Sequence, residues 1–285
     1  MQFRKCTCDY DSFTAYISLS QACFPQASHL TRQYFKWLYS DNPSGEVLGF
    51  DAYDGKRLAA HYVCVPASLL YEGKQIRGLL SLNTATHPDY RGQGLFKKLA
   101  GLTYECAAEA GYELVYGVAN ANSTPGFVRS LGFQLVAALE ASLGFGRLGV
   151  EDWSAIRQRC AFRREWTQKD LRWRLSNPSN PSFAAHLEEG VVAVHAATGR
   201  FGIQAYAEIF GQVPIERSER PKSFSPRLFL GMVPEGFRRR TKYAPIPQLF
   251  KPSPLNLIVR DLRGGGTPKL DQRSVLISYI DFDAY

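Results

Sequence analysis

The sequence predicts a mixed α/β (α+β) fold with a mostly antiparallel sheet and helices on both of its faces. Two observations carry this prediction: a series of strand-like segments before residue 87, and a change to helical periodicity directly after Gly94. With 285 residues, the chain is long enough for two domains that each bury a core.

The strand-like segments are rich in aliphatic and β-branched residues and are separated by Asp-Gly or Glu-Gly turns, which favours antiparallel pairing. They are Val47–Tyr53, Leu58–Pro66, Ser68–Tyr71 and Gln75–Thr86. Before them, Leu30–Ser40 has apolar residues at helical spacing and stops before Asn42-Pro43, so it predicts a helix.

After Gly94, leucines and small apolar residues recur every three or four positions up to Gly111, which predicts an amphipathic helix. The next segments predict a strand, a short helix and another strand, at Glu113–Ala119, Thr124–Leu131 and Phe133–Ala141. The order is that of an α/β unit in which a helix begins at the end of a strand.

The second half predicts a polar helix followed by strands and a proline-rich passage. Its segments are Trp166–Leu175, Phe183–Leu187, Val191–Ala197, Gly202–Phe210, and a final strand pair, Leu255–Leu262 with Val275–Phe282. Trp37 precedes Asn42-Pro43 much as Trp173 precedes Asn177-Pro178, which suggests two related halves. We therefore expect one domain over residues 1–145 and a second over 146–285.

The net charge of +8 is uneven, with +1 in residues 1–150 and +7 in the remainder, where Arg157–Arg164 and Arg238–Lys242 are basic runs. Such runs are typical of a nucleic-acid face, of an anion-binding pocket, or simply of a solvated surface. There is no signal-peptide pattern and no apolar run of membrane-spanning length, so we expect a soluble, cytoplasmic protein without membrane contact. The six cysteines lack zinc-site spacing, so we expect free thiols and no metal.

Arg91-Gly92-Gln93-Gly94-Leu95-Phe96 lies between a predicted strand and the amphipathic helix. The first turn of a helix offers unpaired backbone N–H groups and the positive end of the helix dipole, which suits a diphosphate. Gly92 and Gly94 allow the backbone to approach a ligand closely. Neither GxGxxG nor GxxxxGK[ST] is present here.

Two blocks resemble the GNAT superfamily of acyl-CoA N-acyltransferases over roughly residues 47–140. His87 to Gly94 is similar to its coenzyme A pyrophosphate motif, and Asn120 to Ser123, with Phe127 and Leu131-Gly132-Phe133, is similar to its second block. The resemblance implies acyl-CoA as co-substrate and a GNAT-like fold, with a second half that is a degenerate GNAT-like, acceptor-binding domain.

The resemblance also implies which residues bind coenzyme A. The backbone of the strand end, Thr84, Ala85 and Thr86, would hold the pantetheine. The glycine turn would hold the pyrophosphate, through Arg91, Gly92, Gln93, Gly94, Leu95 and Phe96. The second block would lie beside the pantetheine, with Asn120, Asn122, Ser123 and Phe127. Phe96 departs from the motif, which prefers Gly or Ala, and is tolerated if its ring points away from the phosphates.

The usual acid and base of the superfamily are missing. The position that commonly carries a tyrosine is Val128, and the strand that commonly carries a carboxylate has Leu80 and Leu82. The remaining candidates for catalysis are Asn83, His87 and Tyr116. His61, on an earlier strand, could face the acceptor, although most such histidines are satisfied core or surface residues.

Three functions remain open. The layout resembles bacterial sugar N-acyltransferases of the GNAT type, which implies a nucleotide-linked amino sugar as acceptor for surface polysaccharide synthesis. The basic half would then meet the diphosphate, and aromatic residues such as Trp37, Trp173, Tyr206 and Phe210 would stack on base or sugar unless they belong to the core. The alternatives are a GNAT enzyme for another small amine, such as an aminoglycoside or an amino acid, and a non-catalytic protein that binds coenzyme A or nucleic acid. No nucleic-acid-binding motif accompanies the basic runs, so we expect no nucleic-acid partner.

Overall fold

A computed structural model describes residues 1–200, 202–218, 224–236, 242–247, 249, 253–264 and 268–284. Within these residues there are six α-helices: α1 Tyr10–Cys23, α2 Arg32–Tyr39, α3 Leu95–Glu109, α4 Thr124–Leu131, α5 Trp153–Arg159 and α6 Gln168–Leu175. In the described part of the chain, no helix is both long and apolar enough to cross a bilayer.

The strands form two sheets. The first has the order β1-β2-β3-β4-β5-β14-β6, with β8 beside β3, and the second has the order β13-β7-β12-β11-β10-β9, with β15 beside β12. The strands of the first half are β1 Gln2–Lys5, β2 Leu48–Asp54, β3 Arg57–Tyr71, β4 Lys74–Thr86, β5 Leu114–Asn120, β6 Gln134–Ala138 and β7 Glu140–Gly144. Those that follow are β8 Phe162–Arg164, β9 Phe183–Glu188, β10 Val191–Ala197, β11 Gln204–Phe210, β12 Arg227–Met232, β13 Tyr243–Pro245, β14 Leu255–Asp261 and β15 Ile277–Ser278.

The two sheets repeat one pattern and exchange one strand each. In the first, β4 runs parallel to β5, and β14, from the end of the chain, lies between β5 and β6, antiparallel to both. In the second, β11 runs parallel to β12, and β7, from the first half, lies between β12 and β13, antiparallel to both. Each half of the chain therefore contributes one strand to the sheet of the other half.

The two faces of the first sheet have separate cores, because neighbouring residues of a strand point to opposite sides. On one face, Leu79 and Val115 pack with α3 and α4. On the other, Leu80 and Tyr116 pack with α1, α2 and the second half of the chain. Coenzyme A, if it binds at the beginning of α3, would thus lie on the first side, and α2 covers the second.

In the second sheet, the parallel strands β11 and β12 separate, and the last described segment of the chain fills the space between them. Strands β11 and β12 pair only at Gln204↔Arg227 and Ala205↔Leu228. Beyond that point β15 pairs with Gly231 and Met232, and the turn Tyr279–Asp281 packs against both strands. The space between β11 and β12 is therefore occupied by the protein itself.

Several predicted elements need correction. The segments Leu58–Pro66 and Ser68–Tyr71 form one strand, β3, and Phe133–Ala141 is divided between β6 and β7, which lie in different sheets. The predicted final strand pair is wrong, because β14 joins the first sheet while the segment at 275–282 forms a short strand and a turn in the second. The other predicted helices and strands lie within a few residues of their expected positions.

Helices α2 and α6 meet through a reciprocal pair of tryptophans. The indole N–H of Trp37 donates to the carbonyl of Trp173 at 2.8 Å, and that of Trp173 donates to the carbonyl of Trp37 at 2.7 Å. The rings are stacked with centroids 5.1 Å apart. Each helix begins at a threonine cap, Thr31 or Thr167, and this symmetry supports the predicted relation between the halves.

We expect Trp37→Phe to lower the free energy of unfolding by about 1–3 kcal/mol, because it removes the buried indole donor to the Trp173 carbonyl, which keeps only its bonds with Ser176. Urea unfolding measures this loss, and Trp153→Phe, at a tryptophan that packs against Phe210 outside the α2–α6 contact, is the control. Equal losses in both variants would mean that ring size, and not the exchanged hydrogen bond, determines the effect.

Candidate functional site

The parallel strands β4 and β5 separate at the edge of the first sheet. They pair from Gly78↔Leu114 to Ser81↔Gly117, whereas β4 continues to Thr86 and β5 to Asn120. The described residues place no other strand on that side of β4 beyond Ser81. The backbone of residues 82–86, which includes the predicted Thr84, Ala85 and Thr86, therefore borders an open gap.

A bulge widens this gap at Asn83. Val63 pairs with Leu82 and His61 with Ala85, so that Tyr62 of β3 faces two residues of β4. Asn83 adopts a left-handed backbone with φ of +53°, a conformation that asparagine tolerates better than most residues. Its Nδ2 atom is buried without a hydrogen bond of acceptable geometry, although the amide lies against the hydroxyl of Tyr39. A bulge of this kind turns strand N–H groups away from pairing and towards a ligand.

The predicted phosphate turn leads from the end of β4 into α3. Arg91, Gly92, Gln93 and Gly94 are exposed, Gly92 and Gly94 have φ of +77° and +72°, and a Cβ at either glycine would meet no atom within 4 Å. No side chain caps the beginning of α3, so the first N–H groups of this helix, from Leu95 onward, are free for an anion. Lys97 and Lys98 are exposed in the same turn.

Phe96 and Phe127 belong to the core that supports this turn. The Phe96 ring packs at right angles to Phe127, with centroids 5.2 Å apart, and also contacts Tyr62. Phe127 is 7% exposed and packs on Phe133 as well. The ring of Phe96 thus points into the core between α3 and α4, where it leaves the backbone donors clear.

Asn120 organises the second predicted block. Its side-chain oxygen accepts hydrogen bonds from the backbone N–H groups of Asn122 and Ser123, each at 3.0 Å, and from the Ser123 hydroxyl at 3.1 Å. These bonds close the turn between β5 and α4. Asn122 remains exposed beside the gap, so this block can contact a ligand only through the outer side of the turn.

The geometry favours structural roles for Tyr116 and His87. The Tyr116 hydroxyl donates to the carbonyl of Asp281 at 2.6 Å and is fully buried, and burial raises its pKa to about 12. His87 contacts Arg57 through Nε2 at 2.8 Å, and its Nδ1 accepts from the N–H of Asp89 at 3.2 Å. Both rings thus hold neighbouring segments in place.

Sequence reasoning missed a buried hydrogen-bonded triad behind Asn83. Asp51 Oδ1 lies 2.6 Å from His61 Nδ1, and His61 Nε2 lies 2.9 Å from the Tyr39 hydroxyl. All three residues are at most 3% exposed. His61 was a candidate on its own, but its partners come from β2 and α2, and no spacing in the sequence relates them.

Cys6 lies beside this triad, 3.4 Å from Asp51 Oδ1 and 3.6 Å from His61 Nδ1, so three residues of metal-binding type are together. Two ligands of one tetrahedral zinc ion lie about 3.3 Å apart, given bonds of about 2.0–2.1 Å. The 2.6 Å contact of His61 with Asp51 is instead a hydrogen-bond distance. The cluster is therefore arranged as a hydrogen-bonded group. All six cysteines are free thiols.

Two adjoining clefts lie where α2, the second sheet and the end of the chain meet. The first, of about 390 Å³, is lined mainly by polar side chains: His29, Tyr34, Asn177, Ser179, Asn180, Thr198 and Asp283. The second, of about 470 Å³, shares the segment 197–199 with it and includes Phe183 and the exposed Arg200. The segment that carries His29 begins after Cys23, whose thiol donates to the carbonyl of Thr86 at the end of β4, at 3.3 Å.

Part of the positive charge of the second half lies on buried arginines. Four arginines, Arg163, Arg164, Arg174 and Arg227, are at most 6% exposed, and Arg174 forms an ion pair with Asp283 at 2.7 Å. These residues do not form the exposed basic surface that the sequence suggested. Four of the five residues of the basic run Arg238–Lys242 lie outside the described residues.

The proposed stacking aromatics are also core residues. Trp37, Trp173, Tyr206 and Phe210 are between 1% and 6% exposed. The prediction that they could stack on a base or sugar is therefore wrong for these four side chains.

This chain resembles known proteins in its overall fold and matches one family model. The family model described as an acetyltransferase (GNAT) domain matches residues 4–136. Among solved structures, a conserved protein of unknown function from Enterococcus faecalis V583, described as a probable N-acyltransferase, has a TM-score of 0.60 at 14% identity, and the match covers 92% of this chain and 73% of that one. A GCN5-related N-acetyltransferase from Anabaena variabilis ATCC 29413 has the same TM-score and the same coverages at 10% identity. A search of curated proteins found no match.

The prediction of a GNAT-like mixed fold is therefore confirmed, and residues 4–136 are similar to the model of a GNAT acetyltransferase domain. The match also supports the predicted class of enzyme, an acyl-CoA-dependent acyltransferase with acyl-CoA as co-substrate.

We expect Gly94→Ala to weaken acyl-CoA binding at least tenfold, because the new Cβ lies at the exposed turn where the phosphates approach. Gly73→Ala is the matched control, since Gly73 has φ of +77°, equally open surroundings and a position in the β3–β4 turn. Both variants should lose about 1–2 kcal/mol of stability from the left-handed backbone. Calorimetric titration with acyl-CoA separates the effects, and equal affinity in the two variants would contradict the assignment of the turn.

We expect Asn83→Ala to lower the free energy of unfolding by about 1–2 kcal/mol, because alanine is strained at positive φ. Asn83→Gly should keep the bulge and lose less, since glycine adopts this conformation freely. Urea unfolding of both variants tests this. The same loss in both would assign the effect to the missing amide and not to the backbone.

Proposed function

We propose that this protein transfers an acetyl or short acyl group from acyl-CoA to the primary amine of a nucleotide-linked amino sugar. The observation that carries the donor half is the gap between β4 and β5, which opens directly onto the uncapped beginning of α3. A diphosphate at that helix and a thioester at the bulge would lie along one continuous path.

In this proposal, backbone N–H groups near Asn83 and Thr84 bind the acyl carbonyl. Fixed donors of this kind stabilise the negative charge that develops on the carbonyl oxygen as the amine attacks. The amine nitrogen forms the new C–N bond, the C–S bond breaks, and the coenzyme A thiolate leaves. The rest of coenzyme A supplies binding free energy at α3, away from the reacting atoms.

The first cleft supports a hydroxylated acceptor. Its lining includes the amide and hydroxyl groups of Asn177, Ser179, Asn180 and Thr198, which suit the hydroxyls of a sugar. Its carboxylate, Asp283, is already paired with Arg174 and accepts from Tyr34 at 2.5 Å. A polycation such as an aminoglycoside would require uncompensated carboxylates, so this lining favours an acceptor with little positive charge.

The second cleft supports a nucleotide on that sugar. Arg200 is exposed there and its guanidinium can bind phosphate, while Phe183 offers an aromatic face. Because the clefts share residues 197–199, a sugar in the first could carry its phosphates into the second. The nucleotide-linked acceptor thus relies on Arg200 and not on the buried arginines.

Release of coenzyme A, followed with a thiol reagent, tests the function. We expect turnover with acetyl-CoA or a short acyl-CoA and a panel of nucleotide-linked amino sugars. The same amino sugars without the nucleotide should have a higher KM, because they lack the contact with Arg200. Turnover with simple amines but with none of the sugars would contradict the acceptor, and no turnover with any amine would contradict the enzyme activity.

We expect His29→Ala to raise the KM for the acceptor without changing the KM for acyl-CoA, because His29 lines the first cleft and packs on Tyr34. His186→Ala, at an exposed histidine of β9 outside both clefts, serves as the control. Steady-state kinetics with each substrate varied would measure both constants. An unchanged acceptor KM in His29→Ala would place the acceptor elsewhere.

A further inference from the structure

The gap lacks a carboxylate or an exposed histidine at the position where an amine would lose its proton, because β4 presents Leu80 and Leu82 there. A short acyl transfer still requires a proton to leave the amine nitrogen as the C–N bond forms. Asn83 lines the gap, and its buried amide lies against the Tyr39 hydroxyl. The hydrogen bonds that begin at that hydroxyl lead further into the interior.

The path runs from Tyr39 to His61 and ends at Asp51. The 2.6 Å contact between His61 Nδ1 and Asp51 assigns the Nδ1 proton to that bond, which leaves Nε2 as the acceptor of the Tyr39 hydroxyl at 2.9 Å. Asp51 is held from its other side by the Tyr16 hydroxyl at 3.0 Å and the Cys6 thiol at 3.4 Å. The path thus has one direction, from the hydroxyl at the gap to a fixed carboxylate.

The charge of this group suits a cation that forms transiently at His61. Within the described part of the chain, neither a lysine nor an arginine forms an ion pair with Asp51, whose salt-bridge partner is His61. The carboxylate of Asp51 is therefore placed to compensate a positive charge on His61 while a proton passes through the group. The other titratable groups around the path are the thiols of Cys6 and Cys8 and the hydroxyls of Tyr16 and Tyr53, which are neutral when protonated.

We propose that Tyr39, His61 and Asp51 form the proton-accepting relay of the acyl transfer, reached from the gap at Asn83. This proposal rests on the proposed function. As the amine nitrogen bonds to the thioester carbon, its proton passes to the buried Tyr39 Oη through one water held by Asn83. The Tyr39 proton moves to His61 Nε2, the resulting imidazolium is stabilised by Asp51, and the thiolate takes a proton from solvent. The relay returns its proton to solvent by the reverse path after the amide has left.

A tyrosine alone would be a poor base here. Burial raises the pKa of Tyr39 well above its usual value, and the Asn83 amide opposes this shift only in part. The hydroxyl therefore stays protonated, and it can accept a proton only while it passes its own to His61. Tyr39 is the first residue of the relay, and His61 and Asp51 act through it.

The test is Tyr39→Phe, which keeps the ring and removes the hydroxyl. We expect kcat near neutral pH to fall about 10²- to 10⁴-fold, the range for loss of a general base, with the KM for acyl-CoA unchanged. The deficit should shrink as pH rises, because hydroxide in solvent can then take the amine proton that the relay would otherwise accept. Asp51→Asn should show the same convergence with pH.

Tyr206→Phe is the matched control, since Tyr206 is also a buried tyrosine whose hydroxyl donates to a carboxylate, that of Glu208 at 2.8 Å, in the second sheet. It should leave kcat and its pH profile unchanged. A loss in Tyr39→Phe that is the same at every pH would indicate a structural role and overturn the relay. Full activity of Tyr39→Phe would overturn it as well, without affecting the proposed function.

A second measurement needs no acceptor. In the spectrum of ¹⁵N-histidine-labelled protein, His61 should have the tautomer with its proton on Nδ1, and Tyr39→Phe should shift the Nε2 resonance. A proton on Nε2 of His61 would exclude the relay, whatever the activity of the enzyme.

Discussion

The exchange of hydrogen bonds between Trp37 and Trp173 fixes the geometry on which the site depends. Each indole satisfies a carbonyl of the opposite helix, so α2 and α6 are held in one relative position by two buried bonds and a stacked contact. Helix α2 carries Tyr34 near the end of the chain and Tyr39 beside Asn83. A displacement of α6 would therefore be transmitted to both the first cleft and the bulge, because the short helix α2 contacts both.

Both sheets contain a pair of parallel strands that separate, but the space between the two strands is open in the first sheet and filled in the second. In the first sheet, β4 and β5 separate and leave a gap beside an uncapped helix. In the second, β11 and β12 separate after two residue pairs, and β15 and the turn after it fill the space. The filling turn is also a tie between the halves, since the Asp281 carbonyl accepts from Tyr116 and its carboxylate accepts from the Trp166 indole at 3.0 Å. The space between β11 and β12 is thus filled by a turn that also connects the two halves. This turn places the end of the described chain near the gap between β4 and β5.

The sequence was sufficient for the features that local chemistry determines. The glycines of the phosphate turn need positive φ and an open approach, and the period of α3 follows from its buried residues, so both could be read from spacing. The exchange of β7 and β14 could not, because a strand of alternating polarity does not encode which sheet it will join. Likewise, a count of arginines cannot distinguish Arg174, paired with Asp283 in the interior, from the exposed Arg200. The triad of Asp51, His61 and Tyr39 depends on three separate elements, and for that reason only the histidine was noticed.

The buried charged residues differ between the first sheet and the second half of the chain. The first sheet buries an anion, Asp51, which is surrounded by the thiol of Cys6, the hydroxyl of Tyr16 and the ring of His61. The second half buries Arg174 together with a carboxylate, Asp283, and so presents a nearly neutral wall to the first cleft. An acceptor that enters as an ammonium would then meet little opposing charge on that wall and would find its proton acceptor behind Asn83. In this proposal, the buried Arg174–Asp283 pair beside the first cleft determines where the amine binds. The buried carboxylate of Asp51 determines where the amine loses its proton. The net charge of the surface matters less than these two buried groups.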